Sequence, residues 1–307
     1  MTTIDKITIE AGTLANAYEP DALARAFWTH VTEPADTVAG ELIATLGAIE
    51  ALDVAMGTPE VTDSEELTSL KDRVHSRANR SQFEQILRAT ARYGVRLVTP
   101  ESDNWPTGLN DLGNEAPFAL WVRGNVELLA GADQIAIVGA RAATGYGEHV
   151  TMELAAGLVE RGRTIVSGAA YGIDGMAHRA TLASHGKTIA YLAGGVDRYY
   201  PAGHDALLTR IAEEGAVVSE LPVGSPPTKW RFLSRNRLIA ATTHATVVVE
   251  AGWRSGSLST AGYAREIGRP VGAVPGPVTS AASAGCHRLI RDYGASLITN
   301  ADEAAEL

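Results

Sequence analysis

The chain has 307 residues, 45% of them hydrophobic and 20% charged. That is enough apolar material for a sizeable core, with length for two domains, and too much for a disordered chain. The single cysteine, Cys286, excludes an internal disulfide and fits a reducing cytoplasm. No apolar run reaches the roughly 18 residues of a membrane span, and the N-terminus M-T-T-I-D-K has no signal-peptide pattern. With a formal net charge of -10, any nucleic-acid site has to be a local basic patch rather than a global field.

Residues 1–90 read as helical and polar. A helix over 21–30 carries Leu23, Ala26 and Phe27. A second helical stretch, 38–56, carries Leu42, Ile43, Leu46, Ile49, Leu52 and Val54 and breaks at Gly47. The break fits either a helix–turn–helix hairpin that grips a DNA backbone or a small bundle without a ligand; one glycine favours the bundle. Residues 58–69 are acidic and turn-rich, a loop. An amphipathic helix over 81–93 leads to a short strand at 96–98. Residues 100–117, with prolines flanking Trp105, Leu109 and Leu112, read as an irregular connection. A strand follows at 118–122, with Trp105 and Trp121 as packing residues.

From residue 135 strands and helices alternate. Strands are expected at 135–138, 164–166, 188–192, 216–218, 246–249 and 270–274, and helices at 146–160, 172–183, 205–213, 236–241 and 258–267. The alternation implies right-handed βαβ units and a parallel sheet covered on both faces. In such sheets ligands bind beyond the carboxyl ends of the strands. All six loops at those ends carry glycine. The first reads I-V-G-A-R-A-A-T-G-Y-G: Gly139 ends the strand, Arg141 stands in the turn, and a helix start beyond it is expected to face an anion.

Several chemistries are excluded. A dinucleotide fingerprint needs glycine where Arg141 stands, and an acid where the second strand ends in Ser167. Gly186-Lys187-Thr188 lacks the earlier glycine of a P-loop and enters a strand rather than a helix. No G-x-S-x-G elbow is present, and scattered histidines with one cysteine offer no metal spacing. The densest basic run is 229–237, K-W-R-F-L-S-R-N-R, with four cations and two aromatics. It lies between the fourth and fifth strands of the alternating series, with a helix expected to begin at Asn236 and Arg237. Its position aims it at the crevice that holds Arg141. Cations beside aromatic rings suit a single nucleic-acid strand, phosphates on Lys and Arg and bases on rings; Trp230, Phe232, Tyr199 and Tyr200 are the candidate platforms.

From about 97 to 298 the chain resembles the DprA/Smf family of DNA processing proteins. The matching stretches, in order, are I-V-G-A-R-A-A-T-G-Y-G, S-G-A-A-Y-G-I-D-G-M-A-H, G-K-T-I-A-Y-L-A-G-G-V-D-R-Y-Y-P, V-S-E-L-P, F-L-S-R-N-R-L-I-A, V-V-V-E-A-G-W-R-S-G-S-L-S-T-A and A-V-P-G-P. The resemblance implies an extended Rossmann-like parallel sheet with helices on both faces over 94–307, preceded by a small helical accessory domain over 1–93. It implies a cytoplasmic, non-enzymatic homodimer without a cofactor, which binds single-stranded DNA, protects incoming DNA in natural transformation and hands it to the RecA recombinase. Carried onto this sequence, Gly139 and Arg141 would hold phosphate, and Ser167, Gly168, Gly172 and Asp174 would shape the second loop, Asp174 by orienting a cation or backbone. Lys229, Arg235, Asn236 and Arg237 would line the track, and Glu250, Ser255, Gly256 and Ser257 the loop after the fifth strand of the series.

The chain departs from the family pattern at Ala140 for serine, Leu233 for proline and Ala202 for a basic residue, the last offset by Arg198. Many members continue into a winged-helix-like domain, which a chain ending at Leu307 is expected to lack or to have lost. Two rival readings stand beside the resemblance. One is a nucleotide-binding Rossmann-like enzyme or sensor with Glu250 as acid/base; the other is an interaction module that has lost DNA binding.

Overall fold

Uninterrupted apolar runs that stop at turn residues build the sheet. β3 (Gln134–Val138), β4 (Thr164–Ser167), β5 (Thr188–Tyr191), β6 (Ala216–Ser219), β7 (Ala245–Val248) and β8 (Val271–Ala273) are buried along nearly their whole length, as parallel strands covered on both faces must be. All six match the expected strands to within one residue at each end. The structure, a computed structural model, describes residues 3, 4, 15, 17–58 and 60–307.

β1 (Arg96–Val98), β2 (Leu120–Gly124) and β9 (Ser296–Leu297) extend the sheet at its two edges. The nine strands run in the order β1-β2-β6-β5-β4-β3-β7-β8-β9. β1 pairs antiparallel with β2 and β2 with β6; the other pairs are parallel. This is an extended Rossmann-like α/β fold. From β3 the chain steps outward through β4, β5 and β6, then crosses back to lay β7 on the other side of β3. The carboxyl ends of β3 and β7 therefore form the switch point where open sheets bind ligands.

Alternate residues of each strand feed two layers. Ile135 and Ile137 pack with α6 (Gly145–Glu160) and α7 (Ile173–Ala183), while Ala136 and Val138 pack with α9 (Lys229–Thr242) and α10 (Ser257–Glu266). α8 (Asp205–Glu214) lies beside α7, and α11 (Ala284–Tyr293) packs on β8. Cys286 sits in the core, where burial pushes its thiol up to about 12.

Before the sheet come α1 (Pro20–Val31), α2 (Thr37–Leu46), α3 (Ala48–Ala55), α4 (Glu65–Arg77) and α5 (Arg80–Arg92). Gly47 does break the second stretch, with φ at +80°, a conformation glycine adopts without strain. Trp28 donates its Nε1–H to the Ala48 carbonyl and fixes the hairpin on α1. Trp105 and Trp121 are buried packing residues, as expected.

Two expected elements need correction. The acidic stretch 58–69 is a loop only as far as Ser64, whose side chain accepts the Leu67 N–H and caps α4. Glu65 and Glu66 then sit in the first turn, where the helix dipole favours negative charge, so acidity that reads as solvated loop marks a helix start. The helix expected at 236 begins seven residues earlier, at Lys229, capped by Thr228. The basic run is therefore helical throughout, and its cations point in different directions.

Candidate nucleic-acid interface

A cleft of about 430 Å³ opens at the switch point. The turn after β3 contributes Gly139, Ala140 and Arg141; α7 contributes Asp174; α9 contributes Phe232, Arg235 and Asn236; the loop after β7 contributes Arg254, Ser255, Gly256 and Ser257. The sequence reading had singled out most of these. Arg254 is not among them, although its charge stands directly before S-G-S in the family motif and is the signal that marks it.

The turn after β3 does not present its amides as expected. Gly139 donates to Asp174 Oδ1 at 3.3 Å and Ala140 donates to the Glu250 carbonyl at 2.7 Å. The α6 N-terminus already holds an anion: Glu250 Oε2 accepts the Thr144 N–H at 2.9 Å and Oε1 accepts the Thr144 hydroxyl at 2.6 Å. A Cβ at Gly147 would lie 2.2 Å from Glu250 Oε2, so only glycine lets the carboxylate sit there. Gly139 is thus a packing glycine, held against Ile173 and Glu250. Glu250, 2% exposed, braces a helix and does not face the cleft.

A different helix start faces the cleft. α10 begins after Gly256, with the Ser255 and Ser257 hydroxyls 2.8 Å apart and the exposed Arg254 beside them. Asn236 Nδ2 donates to the Gly256 carbonyl at 3.3 Å and ties α9 to this loop. Backbone N–H groups at a helix start favour phosphate, and two hydroxyls add donors.

Among the cations of α9, Lys229 is exposed and Arg235 forms the floor. Arg235 is 4% exposed and donates Nη1–H to the Gly168 carbonyl at 2.8 Å and to the Tyr191 carbonyl, clamping the ends of β4 and β5. Burial lowers its pKa to about 10, with Asp174 opposing and Arg141 adding to the shift. A Cβ at Gly168 would meet the Arg235 guanidinium at 2.5 Å. Asp174 accepts from the Gly139 and Gly168 amides; burial raises its pKa against the pull of Arg235. Ser167 donates to the Ile137 carbonyl at 2.6 Å and holds two strands together. Gly172, at φ +75°, lies so close to Ala140 that a Cβ would meet its carbonyl at 2.2 Å.

Arg237 is not on the track. It is fully buried and pairs with Glu220 through two bonds of 2.8 and 2.7 Å, and its Nε–H donates to the Glu115 carbonyl. Arg198 is exposed in the loop after β5, outside the cleft lining. Arg141 is exposed, its guanidinium 5.1 Å from the centre of the Phe232 ring. Tyr200 lies tilted against the same ring at 5.5 Å, so Phe232 is a covered platform. Tyr199 faces Arg123 instead and packs into the core. Trp230, 74% exposed, is the open aromatic face. A second cleft of about 480 Å³ continues the first over Arg141, Phe232 and Leu233 to Lys229 and Tyr200.

Fold and site together define a doubly wound α/β protein with a cation-bearing cleft at its switch point and no dinucleotide fingerprint. The family described as DNA recombination-mediator protein A matches residues 96–307. The chain belongs to this family, DprA/Smf. A DNA processing protein DprA of Mycobacterium tuberculosis is 47% identical over 299 residues, covering 94% of this chain and 75% of that one. The structure of DNA processing protein A from Streptococcus pneumoniae superposes with a TM-score of 0.76 at 29% identity, covering 92% of this chain and 95% of that one. The Helicobacter pylori protein, whose structure is described by its single-stranded DNA binding mode, gives a TM-score of 0.62 at 30% identity over 69% of this chain and 94% of that one.

Proposed function

We propose that the protein is a cytoplasmic, non-enzymatic single-stranded DNA-binding homodimer that protects incoming DNA and loads the RecA recombinase in natural transformation. The observation that carries the reading is the switch-point cleft. Arg141 stands exposed on one side of it, and the α10 start with Ser255, Gly256 and Ser257 on the other. Phosphates would lie between these groups and meet Arg254 and Lys229, while an unpaired base stacks on Trp230. Arg235, Gly168, Gly172 and Asp174 hold the loops that shape this path. The Helicobacter pylori relative supports the choice of ligand. Among the described residues no helix is long and apolar enough to cross a membrane. The division at residues 93 and 94 is part of the same reading, with the helices ahead of the sheet as the accessory domain.

The rival enzyme or sensor would need Glu250 as a free acid/base, and both its oxygens are engaged by Thr144. Titration with labelled oligothymidylate tests the proposal. Binding is expected to weaken with salt at a slope of about 2, roughly 0.7 for each phosphate met by Arg141, Lys229 and Arg254. Unlabelled duplex of equal length is expected to compete at least about tenfold more weakly, since paired bases hide the faces a ring needs. Mole-for-mole displacement by duplex, or no binding at all, would sink it.

A further inference from the structure

A larger cleft lies elsewhere, between α5 and the loop that follows β6, and encloses about 850 Å³. The α5 wall is a polar stripe: Gln82, Gln85 and Arg92 recur at helical spacing with Arg88 beside them. Phe83 and Leu87 of α5 are buried in the core, while Ile86 and Ala89 add an apolar patch to the cleft wall. Glu84, one turn earlier on α5, accepts from Arg88 Nη2 at 2.5 Å. Arg77 and Arg231 complete the cationic lining, and Glu33 and Asp197 are the two carboxylates. Asp197 is engaged by the Gly224 amide at 2.8 Å. Glu33 is shared between Arg231, at 3.0 Å, and Arg77, at 3.2 Å. With Glu84 counted, four arginines stand against three carboxylates, and Arg92 is the one of the four with no carboxylate partner among the described residues, so the lining keeps a net positive charge in a protein of net charge -10.

This cleft adjoins the track. The first turn of α9 and the two prolines before it are the ridge between them. Pro226 and Arg231 line the large cleft, Pro227, Lys229 and Phe232 the small one beside Arg141. Exposed on that turn are Lys229 and Trp230. A polyanion leaving Arg141 thus meets a cation and an open aromatic at the crest, then arginines again on the far side.

We propose that the cleft between α5 and the β6 loop is a second segment of the single-strand path. The phosphodiester backbone would lie along Arg88, Arg92 and Arg231, with the Gln82 and Gln85 amides within reach of base edges. The inference rests on the function proposed above and extends it to the helices that precede the sheet.

The test is the full chain carrying Arg88→Ala and Arg92→Ala together. Both side chains are exposed, and an unchanged melting temperature checks that α5 stays folded. Wild type and variant are titrated with oligothymidylates of about 6 and about 20 nucleotides, near the two ends of the site sizes known for single-strand folds. The short strand, held by the switch-point cleft, is expected to bind both proteins alike. The long strand should bind the variant several-fold more weakly, with a salt slope lower by about 1.4, the loss of two phosphate contacts. An unchanged slope and affinity for the long strand overturns the second segment alone. An equal loss for both lengths also overturns it, since the effect would then come through the first cleft. Failure of wild type to bind either length overturns the proposed function and this inference with it.

Discussion

Arg141 and Arg237, from two of the family motifs, come to opposite uses. Arg141 is exposed and its guanidinium lies over the Phe232 ring. Arg237 is enclosed and holds Glu220 with two charge-assisted bonds, as well as the Glu115 and Ser234 carbonyls. Arg141→Ala is expected to leave the melting curve in place and to lower the salt slope of oligothymidylate binding by about 0.7. Arg237→Ala strands a buried carboxylate, which costs about 3–5 kcal/mol, and leaves the slope of the folded fraction unchanged. Denaturant unfolding and binding on both variants check the pair. An unfolding midpoint for Arg237→Ala equal to wild type, or an unshifted slope for Arg141→Ala, contradicts the assignment.

At the scale of the element, α7 carries a pH dependence. His178 is fully buried and its Nδ1 lies 2.7 Å from the Thr188 hydroxyl. Since that hydroxyl donates to the Ile165 carbonyl, the imidazole is the donor toward it. Burial lowers the His178 pKa from 6.5 to about 3, with His204, Arg235 and Arg179 adding to the shift. Between those values the unfolded chain binds the proton and the folded chain does not, so stability is fully present above the ordinary histidine range and is lost as pH falls toward 3. His204 and His30, lowered mainly by burial, act in the same sense. Asp174, raised by burial, acts in the opposite sense: its contribution is present below the ordinary carboxylate range and is lost as pH rises through its folded value. His178→Gln is expected to flatten the fall of the urea midpoint between about pH 6.5 and 4. A variant that loses as much over that interval as wild type would show that His178 does not set the acid limb.

At the scale of the molecule, the two sheet edges are treated differently. The N-terminal helices pack at the β1–β2 edge, where Trp121 Nε1–H donates to the Thr29 hydroxyl across 92 residues of chain. They do not reach β9 at the other end of the sheet order. That edge is kept short, two residues, and shows Leu297 at 51% exposed beside Tyr293 on α11. The Tyr293 ring is flanked by Arg265 and Arg288. An edge that the described residues leave uncovered needs a partner or charge, and this supports a homodimer there. Light scattering at micromolar concentration is expected to give twice the 32.3 kDa chain mass, and Leu297→Lys to return the monomer. A wild-type monomer at every concentration, or a dimer that Leu297→Lys leaves intact, counts against that surface.

The sequence by itself determined the sheet. Apolar runs and glycine stops are local signals, so six strands and four of the five helices between them could be read to within a residue. The order of motifs then placed their loops at one end. The tertiary structure alone decided what each side chain in those loops does. On α9 successive residues turn by about 100°, so a run of four cations puts Lys229 outside, Arg235 in the floor, Arg231 against Glu33 and Arg237 in the core. Glu250 reaches Thr144 across 106 residues and fills the helix start that the first glycine turn advertised, leaving the anion-facing role to α10. Pairing over such distances follows from packing between layers, which no local pattern encodes.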